Sequence, residues 1–267
     1  MDTELGGKRF RWGTRVFVMG IVNATPDSFS GDGVLDPTAA VGQALRMIDE
    51  GADIIDVGGE STRPGHEPVT AEEELRRVLP VLRHLCPRAT VPVSIDTWKP
   101  EVAEAAAAVG VAIVNDVWGL QRSPGLAALA AQRGLGLVLM HNQRGTEYAD
   151  LMGDVKASLR RSLAVAVEAG VPRERVILDP GIGFGKTSEQ GVEVLRRFDE
   201  LTELGQPLLA GPSRKSYLGR IFGQAPGERL AGTIASVTAA VLRGADVVRV
   251  HDVAEVVRAV RVAEALR

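Results

Sequence analysis

The stretch Val176-Ile-Leu-Asp-Pro-Gly-Ile-Gly-Phe-Gly-Lys-Thr187 contains a short apolar run, one acidic residue and a glycine-rich loop, in that order. The apolar run Val176–Leu178 lacks alternation of polar and apolar residues, which is typical of a parallel strand buried on both faces. The amphipathic segment Glu189–Glu203 follows the loop and predicts a helix. The stretch is therefore predicted to form one strand–loop–helix unit of a parallel α/β fold.

The same unit recurs along the whole chain. Apolar runs predict strands at Val16–Val22, Asp53–Val57, Pro92–Ile95, Ala112–Val114, Leu137–Met140, Val176–Leu178, Pro207–Leu209 and Val247–Val250. Amphipathic segments predict helices at Ala39–Glu50, Ala71–Leu85, Pro100–Val109, Val155–Ala169, Glu189–Glu203, Thr233–Leu242 and Val253–Leu266. Eight such units in about 250 residues are typical of a (β/α)8 TIM barrel, although an open doubly wound sheet shows the same alternation. No linker divides the chain, so residues 1–267 are predicted to form a single domain.

Polar residues at or just after the predicted strand ends favour the barrel over the open sheet. They are Asn23, Asp56, Asp96, Asn115, His141, Asp179, Ser213–Lys215, Arg249 and His251. In a barrel the carboxyl ends of all eight strands meet around one mouth, where the active site is built. Along the edge of an open sheet, few of these residues could contact the same ligand. We therefore predict an α/β fold, a single-domain TIM barrel, with one site at its mouth.

The composition excludes several classes of protein. Apolar residues make up 45% and charged residues 24% of the 267 residues, as in ordinary globular proteins. The formal net charge of −3 provides no overall basic field, so we expect no nucleic-acid partner and no membrane binding. Cys86 is the only cysteine, which excludes an intramolecular disulfide and a multi-cysteine metal site. The chain shows no apolar run as long as a signal peptide or membrane span, so a cytoplasmic location is expected.

Long loops follow the first two predicted strands. They run from Asn23 to Gly33 and from Gly58 to Gly65, whereas such connections usually have about 2–6 residues. Arg63 in the second loop offers a planar, permanently charged group that suits an anion. Pro, Ser and Gly are also ordinary residues of exposed connections, so neither loop alone indicates a site.

The loop after Asp179 is similar to two phosphate-binding motifs but matches neither. A P-loop requires glycine where Pro180 stands, and a dinucleotide fingerprint requires glycine where Lys186 stands. Only 4% of the chain is aromatic, so Phe184 within this loop is predicted to form a surface on which a ligand packs.

The adjacent pair 115–116 follows another predicted strand, and only one of these two side chains is expected to point towards the mouth.

Basic residues cluster after the last two predicted strands. This quarter of many barrels binds phosphate. Ser213-Arg-Lys-Ser216 follows the seventh strand, and Arg249 and His251 lie two residues apart, on the same side of the eighth. Together with Arg63, this cluster predicts an anion site next to two acidic strand ends, Asp96 and Asp179. The pattern indicates a ligand with an anionic end and a part rich in hydrogen-bond donors.

Seven segments of the chain carry a family resemblance. They are Gly20-Ile-Val-Asn-Ala-Thr-Pro-Asp-Ser-Phe-Ser30, Asp56-Val-Gly-Gly-Glu-Ser-Thr-Arg-Pro-Gly65, Ser94-Ile-Asp96, Asn115-Asp-Val-Trp-Gly119, Asp179-Pro-Gly-Ile-Gly-Phe-Gly-Lys186, Ser213-Arg-Lys-Ser216 and Arg249-Val-His-Asp252. In this order, and across nearly the full chain, they resemble the dihydropteroate synthase family. That family condenses 6-hydroxymethyl-7,8-dihydropterin diphosphate with 4-aminobenzoate, releasing diphosphate and 7,8-dihydropteroate for folate synthesis. The resemblance implies a TIM barrel, a homodimer, the cofactor Mg²⁺ and inhibition by sulfonamides.

The resemblance also implies which residues contact the pterin diphosphate. Asp179 and Asn115 would bind the pterin ring, and Asp96 would lie beside it. Arg249 would cover the ring and reach the diphosphate, together with His251.

The remaining implied contacts concern the metal ion and the aminobenzoate. Asn23 would help to hold the magnesium ion, and Lys215 would touch both the pterin ring and the aminobenzoate. The aminobenzoate would be framed by Thr62, Arg63, Pro64, Phe184 and Ser216. The predicted catalytic residues are Asp96, Lys215 and Arg63.

The sequence leaves two other functions open. A methyltransferase domain acting on methyltetrahydrofolate and a corrinoid protein would share the barrel and its carboxylates. It would need neither Ser213–Ser216 nor the loop at Thr62–Pro64. A non-catalytic pterin-binding paralogue is the second alternative, and the first loop keeps it open. This loop reads Ser30-Gly-Asp-Gly33 where relatives read Ser-Asp-Gly-Gly, which displaces the loop aspartate to Asp32.

Overall fold

The computed structural model describes residues 1–25, 36–60 and 68–267. Its strands are β1 (Asp2–Leu5), β2 (Lys8–Arg11), β3 (Phe17–Asn23), β4 (Ile54–Gly58), β5 (Val93–Asp96), β6 (Ile113–Asp116), β7 (Gly136–Met140), β8 (Val176–Asp179), β9 (Leu209–Ala210) and β10 (Val247–Val250). Its helices are α1 (Pro37–Asp49), α2 (Ala71–Leu85), α3 (Pro100–Ala108), α4 (Gly125–Arg133), α5 (Leu151–Glu168), α6 (Ser188–Arg196), α7 (Ser216–Phe222), α8 (Leu230–Leu242) and α9 (Val253–Ala265).

Strands β3 to β10 form one parallel sheet that closes on itself. The hydrogen-bonded order is β8-β7-β6-β5-β4-β3-β10-β9. A parallel bridge between Leu178 and Leu208, with the Leu178 N–H donating to the Pro207 carbonyl at 2.9 Å, joins the two ends of this order. The predicted TIM barrel is confirmed, and the open doubly wound sheet is wrong.

All eight predicted strands are present, each shifted by no more than two residues at either end. The main shift is towards the carboxyl end, because the ladders of β3, β5, β6 and β8 continue through the polar residue that follows each apolar run. Helices α4 and α7 are not in the predicted set, because both are short, with nine and seven residues, and α4 is also rich in alanine. No helix in the described residues has the length and apolar character needed to cross a bilayer.

The predicted helix Glu189–Glu203 is wrong in its second half. Helix α6 ends at Arg196, and a 3-10 helix occupies Phe198–Leu204. Its buried residues Phe198, Leu201 and Leu204 are spaced by three. This spacing matches the 3.0-residue turn of a 3-10 helix, which aligns them on one face against the core.

An N-terminal hairpin that the sequence analysis did not predict lies against the amino end of the barrel. Strands β1 and β2 pair antiparallel through Gly6 and Gly7, whose φ angles of 55° and 75° suit a two-residue hairpin turn. Phe10 of this hairpin stacks 5.3 Å from Trp12 and tilts against Phe17, at 4.9 Å, where β3 begins. The hairpin therefore closes the end of the barrel opposite the mouth.

Two apolar clusters hold the barrel together. The larger fills the layer between the sheet and the surrounding helices. The smaller joins the hairpin to the inner faces of the strands and consists of Leu5, Phe10, Trp12, Phe17, Met19, Ile54, Ile113, Val138, Ile177, Leu209 and Val247. Because successive strand residues point to opposite faces, this smaller cluster identifies which positions of each strand face the barrel interior.

Candidate active site

Polar side chains continue the inward-facing rows of four strands towards the mouth. In each of these strands, a polar residue stands two positions after an apolar residue that faces the barrel interior. The pairs are Ile54 and Asp56, Ile113 and Asn115, Ile177 and Asp179, and Val247 and Arg249. The register also aligns Asp56 with Ser94, and Asp96 with Asn115, on neighbouring strands. The alternation of side chains along each strand, together with the register between strands, therefore places these groups at one level of the barrel interior.

Arg249 connects two acidic residues across the mouth. Its Nε donates to Asp56 Oδ2 at 2.6 Å, and its Nη2 donates to Asp96 Oδ2 at 2.8 Å. The Asn115 side-chain amide donates to the same Asp56 oxygen at 2.9 Å. Four residues from four strands thus form one hydrogen-bonded network, in which the guanidinium plane is fixed at both ends.

Two carboxylate oxygens of this network have no hydrogen-bond partner among the described residues. They are Asp56 Oδ1 and Asp96 Oδ1, and both are buried. Burial raises the pKa of Asp96 to about 7, and Asp56 adds to this rise while Arg249 opposes it. Leaving a buried acceptor unpaired costs about 1–3 kcal/mol, so such atoms in a cleft indicate a place for a ligand's donors.

Asp179 lies on the other side of a gap in the inner lining. Its Oδ1 accepts the Gly181 N–H at 2.7 Å, and burial raises its pKa. Gly211 follows β9 in the inward row, and a Cβ there would lie 4.0 Å from Asp179 Oδ2 and 3.9 Å from Arg249 Cβ. Because Gly211 has no side chain, the space between Asp179 and Arg249 is left open for a flat ligand.

Lys215 stands at the edge of this space, on the turn between β9 and α7. Its Nζ lies 4.0 Å from the centre of the Phe184 ring, within the range of a cation–π contact. The preceding residue, Arg214, has a φ of 51° and pairs with both carboxylate oxygens of Asp252. The Arg214 N–H also donates to Thr233 Oγ1 at 3.0 Å. The turn that carries Lys215 is therefore tied to α8 and to the residue just before α9.

His251 is oriented by Ser213. The Ser213 hydroxyl accepts the His251 backbone N–H at 3.2 Å and lies 2.9 Å from His251 Nδ1. A hydroxyl has one proton and two lone pairs, so Ser213 can serve Nδ1 in either tautomer of the ring while it accepts the backbone N–H. The two contacts fix the position of the imidazole at the mouth.

Of the adjacent pair 115–116, only Asn115 faces the barrel interior. Asp116 points away from the mouth and accepts the N–H groups of Trp118 at 2.8 Å and Leu120 at 2.7 Å. Burial raises the pKa of Asp116 to about 6, while these N–H donors lower it. The expectation that only one of the two side chains points towards the mouth is met by Asn115, and Asp116 holds the loop after β6.

The structure brings together most, but not all, of the predicted site residues. Those around the mouth are Asp96, Asn115, Asp179, Phe184, Lys215, Arg249 and His251. Ser216 is exposed at the first position of α7, and Asn23 is half-buried at the end of β3. Thr62, Arg63, Pro64 and Asp32 lie outside the described residues.

Two residues of the site were given no role in the sequence analysis. Asp56 accepts hydrogen bonds from both Arg249 and Asn115, and Ser213 orients His251. The signal for Asp56 was its position two residues after Ile54, which places both side chains on the same face of β4. The sequence did not show that this face points into the barrel, so the signal could not be used. Nothing in the local sequence predicts Ser213 as the partner of a residue 38 positions away.

Asn23 lies half-buried at the end of β3, and its side-chain oxygen is a hard ligand of the kind that Mg²⁺ accepts. Mg²⁺ in proteins commonly uses one or two side chains together with substrate phosphates and water. Within residues 1–25, 36–60 and 68–267, no group of three His, Cys, Asp or Glu side chains could hold a metal ion.

Comparisons with known proteins agree with this geometry. The pterin binding enzyme family matches residues 19–251. The chain is 46% identical over 263 residues to the dihydropteroate synthase of Clostridium beijerinckii, which covers 98% of each chain. Dihydropteroate synthase from Clostridium difficile, solved in the presence of pteroic acid, aligns with a TM-score of 0.92 and 48% identity, covering 96% of this chain and 98% of that one. The Xanthomonas albilineans enzyme with 4-aminobenzoic acid aligns with a TM-score of 0.92 and 42% identity, covering 99% and 97%. The chain therefore belongs to the pterin-binding enzyme family and, within it, to the dihydropteroate synthases.

Proposed function

We propose that the mouth of this barrel binds 6-hydroxymethyl-7,8-dihydropterin diphosphate and transfers its pterin-methyl group to 4-aminobenzoate. As a dihydropteroate synthase, the chain is a transferase that releases diphosphate and forms 7,8-dihydropteroate. The observation that carries the residue assignment is the Asp56–Arg249–Asp96 network, in which two buried carboxylate oxygens have no hydrogen-bond partner among the described residues. The following paragraphs derive what each group does.

The pterin ring fits the gap between Asp179 and Arg249. A dihydropterin presents amino and ring N–H donors in a row, which a buried carboxylate can accept in pairs. Asp179 supplies one such carboxylate, and the Oδ1 atoms of Asp56 and Asp96, which have no hydrogen-bond partner among the described residues, supply further acceptors. The guanidinium of Arg249 provides a flat cationic surface against the ring. Asn115 is held by Asp56 in the same layer and supplies an amide to the ring edge.

Basic groups at the mouth bind the diphosphate. Lys215 and Arg249 carry positive charge beside the gap, and Ser213 holds the His251 imidazole next to them. Asn23 would hold Mg²⁺, which when bound would neutralise charge on the departing diphosphate. These groups act on the charge that develops as the leaving group departs, which is where preorganised electrostatics lower a barrier most.

Substitution at the pterin methylene carbon proceeds by prior departure of the leaving group. The C–O bond breaks, and its electron pair leaves with the diphosphate. The resulting pterin-methyl cation is stabilised by the ionised carboxylate of Asp96. The aminobenzoate nitrogen then donates its lone pair to form the C–N bond and loses a proton. No covalent enzyme intermediate is required, so Lys215 acts as a positioned cation and not as a nucleophile.

The aminobenzoate is placed at the outer edge of the site. Phe184 offers a ring face beside the Lys215 ammonium, and Ser216 at the exposed start of α7 offers a hydroxyl to the carboxylate. Thr62, Arg63 and Pro64 complete this part of the proposal, with Arg63 as a cation at the reacting centre. A sulfonamide shares the arylamine and an acidic group with aminobenzoate, so it is expected to compete for the same place.

A product assay tests the proposed function. The protein is mixed with the pterin diphosphate, labelled 4-aminobenzoate and Mg²⁺, and the formation of labelled dihydropteroate is followed with an Asp179→Asn variant as control. Labelled product from the wild type alone supports the proposal. Methyl transfer from methyltetrahydrofolate to a corrinoid protein would support the first alternative. Pterin binding without either product would support the non-catalytic paralogue.

Assembly and location are separate parts of the proposal. We expect a homodimer, because apolar side chains remain exposed around a groove of about 460 Å³ between α6, α7 and α8, with Phe222 59% exposed. Light scattering with size-exclusion chromatography measures the mass. A mass of one chain would contradict the dimer. A cytoplasmic location is consistent with a single, half-buried cysteine that needs no oxidising compartment.

A further inference from the structure

Lys186, at the end of the glycine-rich loop after β8, is buried and takes no part in the reaction derived above. Its exposure is 9%. Its Nζ contacts three acceptors, which are His141 Nδ1 at 2.7 Å, the Gly181 carbonyl at 3.2 Å and the Phe184 carbonyl at 3.2 Å. An ammonium has three protons to donate, so this geometry uses all of them, and none of the three acceptors is a carboxylate.

The acceptor His141 is suited to this contact. Burial and the nearby charge of Lys186 together lower the pKa of His141 to about 3. The ring is therefore neutral, and Nδ1 accepts while Nε2 carries the proton. Lys186 thus joins the loop after β8 to the residue that directly follows β7.

The same ammonium holds both ends of the turn that carries Phe184. The Phe184 N–H donates to the Gly181 carbonyl at 3.1 Å, and Lys186 binds the carbonyls of both residues. Gly181 has a φ of 71°, and a Cβ there would lie 2.0 Å from the His141 carbonyl oxygen, so backbone packs directly on backbone. Tyr148 adds a hydrogen bond to the Gly185 carbonyl at 2.6 Å.

We propose that Lys186 is a positioning residue, which through its three hydrogen bonds sets the Phe184 ring as the surface for Lys215 and the aminobenzoate. The inference deepens the proposed function and rests on it, because Phe184 is assigned there to the aminobenzoate. Removing the ammonium frees two carbonyls of the turn, while the Asp179 backbone stays held by its pairing with β7, where its carbonyl accepts the His141 N–H at 2.9 Å. The loss should therefore fall on aminobenzoate more than on the pterin.

Burying the Lys186 ammonium lowers the stability of the fold, which argues against the alternative that Lys186 only fills space. Lysine is rarely buried without a charged partner. Burial lowers the pKa of Lys186 to about 7, and the nearby Asp179 only partly opposes this change. An apolar side chain of the same length would fill the space without that cost, but it could not bind three acceptors at once.

The first experiment compares Lys186→Met with Lys156→Met. Lys156 lies on α5, contacts Glu200 and Glu203, and has no place in the proposed site. We expect Lys186→Met to raise KM for 4-aminobenzoate about tenfold or more and to change the dissociation constant of the pterin diphosphate less than twofold. Lys156→Met should change neither. An unchanged KM for aminobenzoate, or equal weakening of both substrates, would overturn the proposal.

A double-mutant cycle tests whether Lys186 acts through Phe184. In a Phe184→Ala background, Lys186→Met should raise KM for aminobenzoate less than twofold further, because the ring it positions is gone. The same tenfold rise in both backgrounds would show that Lys186 acts independently of Phe184, and the inference would be wrong. If Lys186→Met does not fold, His141→Phe removes one acceptor, and a rise in the same KM by several-fold is expected.

A measurement that does not depend on activity separates this inference from the proposed function. The six phenylalanines are replaced by 4-fluorophenylalanine, and the Phe184 ¹⁹F resonance is assigned by its absence in Phe184→Leu. The resonance should shift or split in Lys186→Met and remain in place in Lys156→Met. An unmoved resonance would overturn the positioning role even in an active enzyme. A wild type that makes no dihydropteroate would contradict the proposed function, whatever the resonance does.

Discussion

The two ends of the barrel interior differ sharply, although the same strands build both. At the amino end, the inner residues Ile54, Ile113, Ile177 and Val247 pack against the aromatic hairpin in a dry cluster. Two residues further along the same strands, the inner positions are Asp56, Asn115, Asp179 and Arg249. A shift of about 7 Å along each strand thus separates the part that stabilises the fold from the part that binds charge.

This contrast shows how one scaffold serves two opposed demands. Apolar burial at the amino end stabilises the fold by about 25 cal/mol per Å² removed from water. The mouth holds three buried acidic residues and, among the described residues, two carboxylate oxygens without a hydrogen-bond partner. Burying such groups costs stability until donors are supplied. Changes at the mouth should therefore damage activity more than stability, and changes at the amino end should do the reverse.

Arg249→Met should give the largest effect and fall mainly on activity. The change removes the cation that bridges Asp56 and Asp96, and we expect kcat/KM to fall by about 10³-fold. Without this cation the pKa of Asp96 rises further, so the folded state holds a proton that the unfolded state releases, and stability should fall as pH rises from 6 to 8. Steady-state kinetics and thermal melts at both pH values measure these effects.

The matched control for this change is Arg261→Met, on the exposed part of α9. It should leave kinetics and melts unchanged. Wild-type turnover in Arg249→Met would remove Arg249 from the mechanism.

Phe10→Ala should give the opposite result at the amino end. Truncating this fully buried ring removes its contacts with Trp12 and Phe17, and the free energy of unfolding should fall by about 3–5 kcal/mol. The kcat of the folded fraction should stay within twofold of the wild type. Denaturant titration and kinetics at low temperature check both values. Val262→Ala, at a 62% exposed position, is the control and should change stability little. A large fall in kcat without loss of stability would contradict the separation of the two ends.

Asp96→Asn should reduce activity and increase stability at the same site. The raised pKa of Asp96, about 7, means that the folded protein keeps this proton at pH values where the unfolded chain has lost it. The ionised Asp96 carboxylate therefore destabilises the folded protein most above pH 7, and this effect shrinks as pH falls towards 4. Asp96→Asn should consequently melt at a higher temperature than the wild type at pH 8, and by a smaller margin at pH 5.

Kinetics of the same variant test the role of Asp96 beside the cation. Diphosphate release should slow more than pterin binding weakens. The wild-type rate should decline below about pH 7, where Asp96 takes up its proton, and the variant should lack this decline. Equal damage to binding and to bond cleavage would argue against the proposed role.

Asp252→Asn should have the smallest of these effects. The change removes the charge that pairs with Arg214 and loosens the turn before Lys215, so we expect KM for aminobenzoate to rise by about tenfold or less. The control is Glu255→Gln, at an exposed position of helix α9, which begins directly after Asp252. An unchanged KM would show that the ion pair between Arg214 and Asp252 is not needed to hold the turn.

Much of the fold and part of the site could be predicted from local sequence. Apolar runs located all eight barrel strands because burial on both faces leaves a clear pattern in a parallel strand. The hairpin was missed, although Gly6-Gly7 between short alternating segments is a recognised hairpin signal. Helix α4 was missed because its alanine-rich sequence shows little contrast between a buried and an exposed face.

Site residues were predictable where their types and spacing are distinctive, and less so where roles depend on partners. The sequence alone determined that polar residues stand at the strand ends, that one of positions 115 and 116 faces the mouth, and that basic groups follow the last two strands. Only the tertiary structure decided that Asn115 is the inward residue, that Asp56 shares Arg249 with Asp96, and that Ser213 orients His251. The physical reason is that side-chain type and strand parity are local properties. Hydrogen-bond partners between residues up to 193 positions apart depend on how the barrel closes.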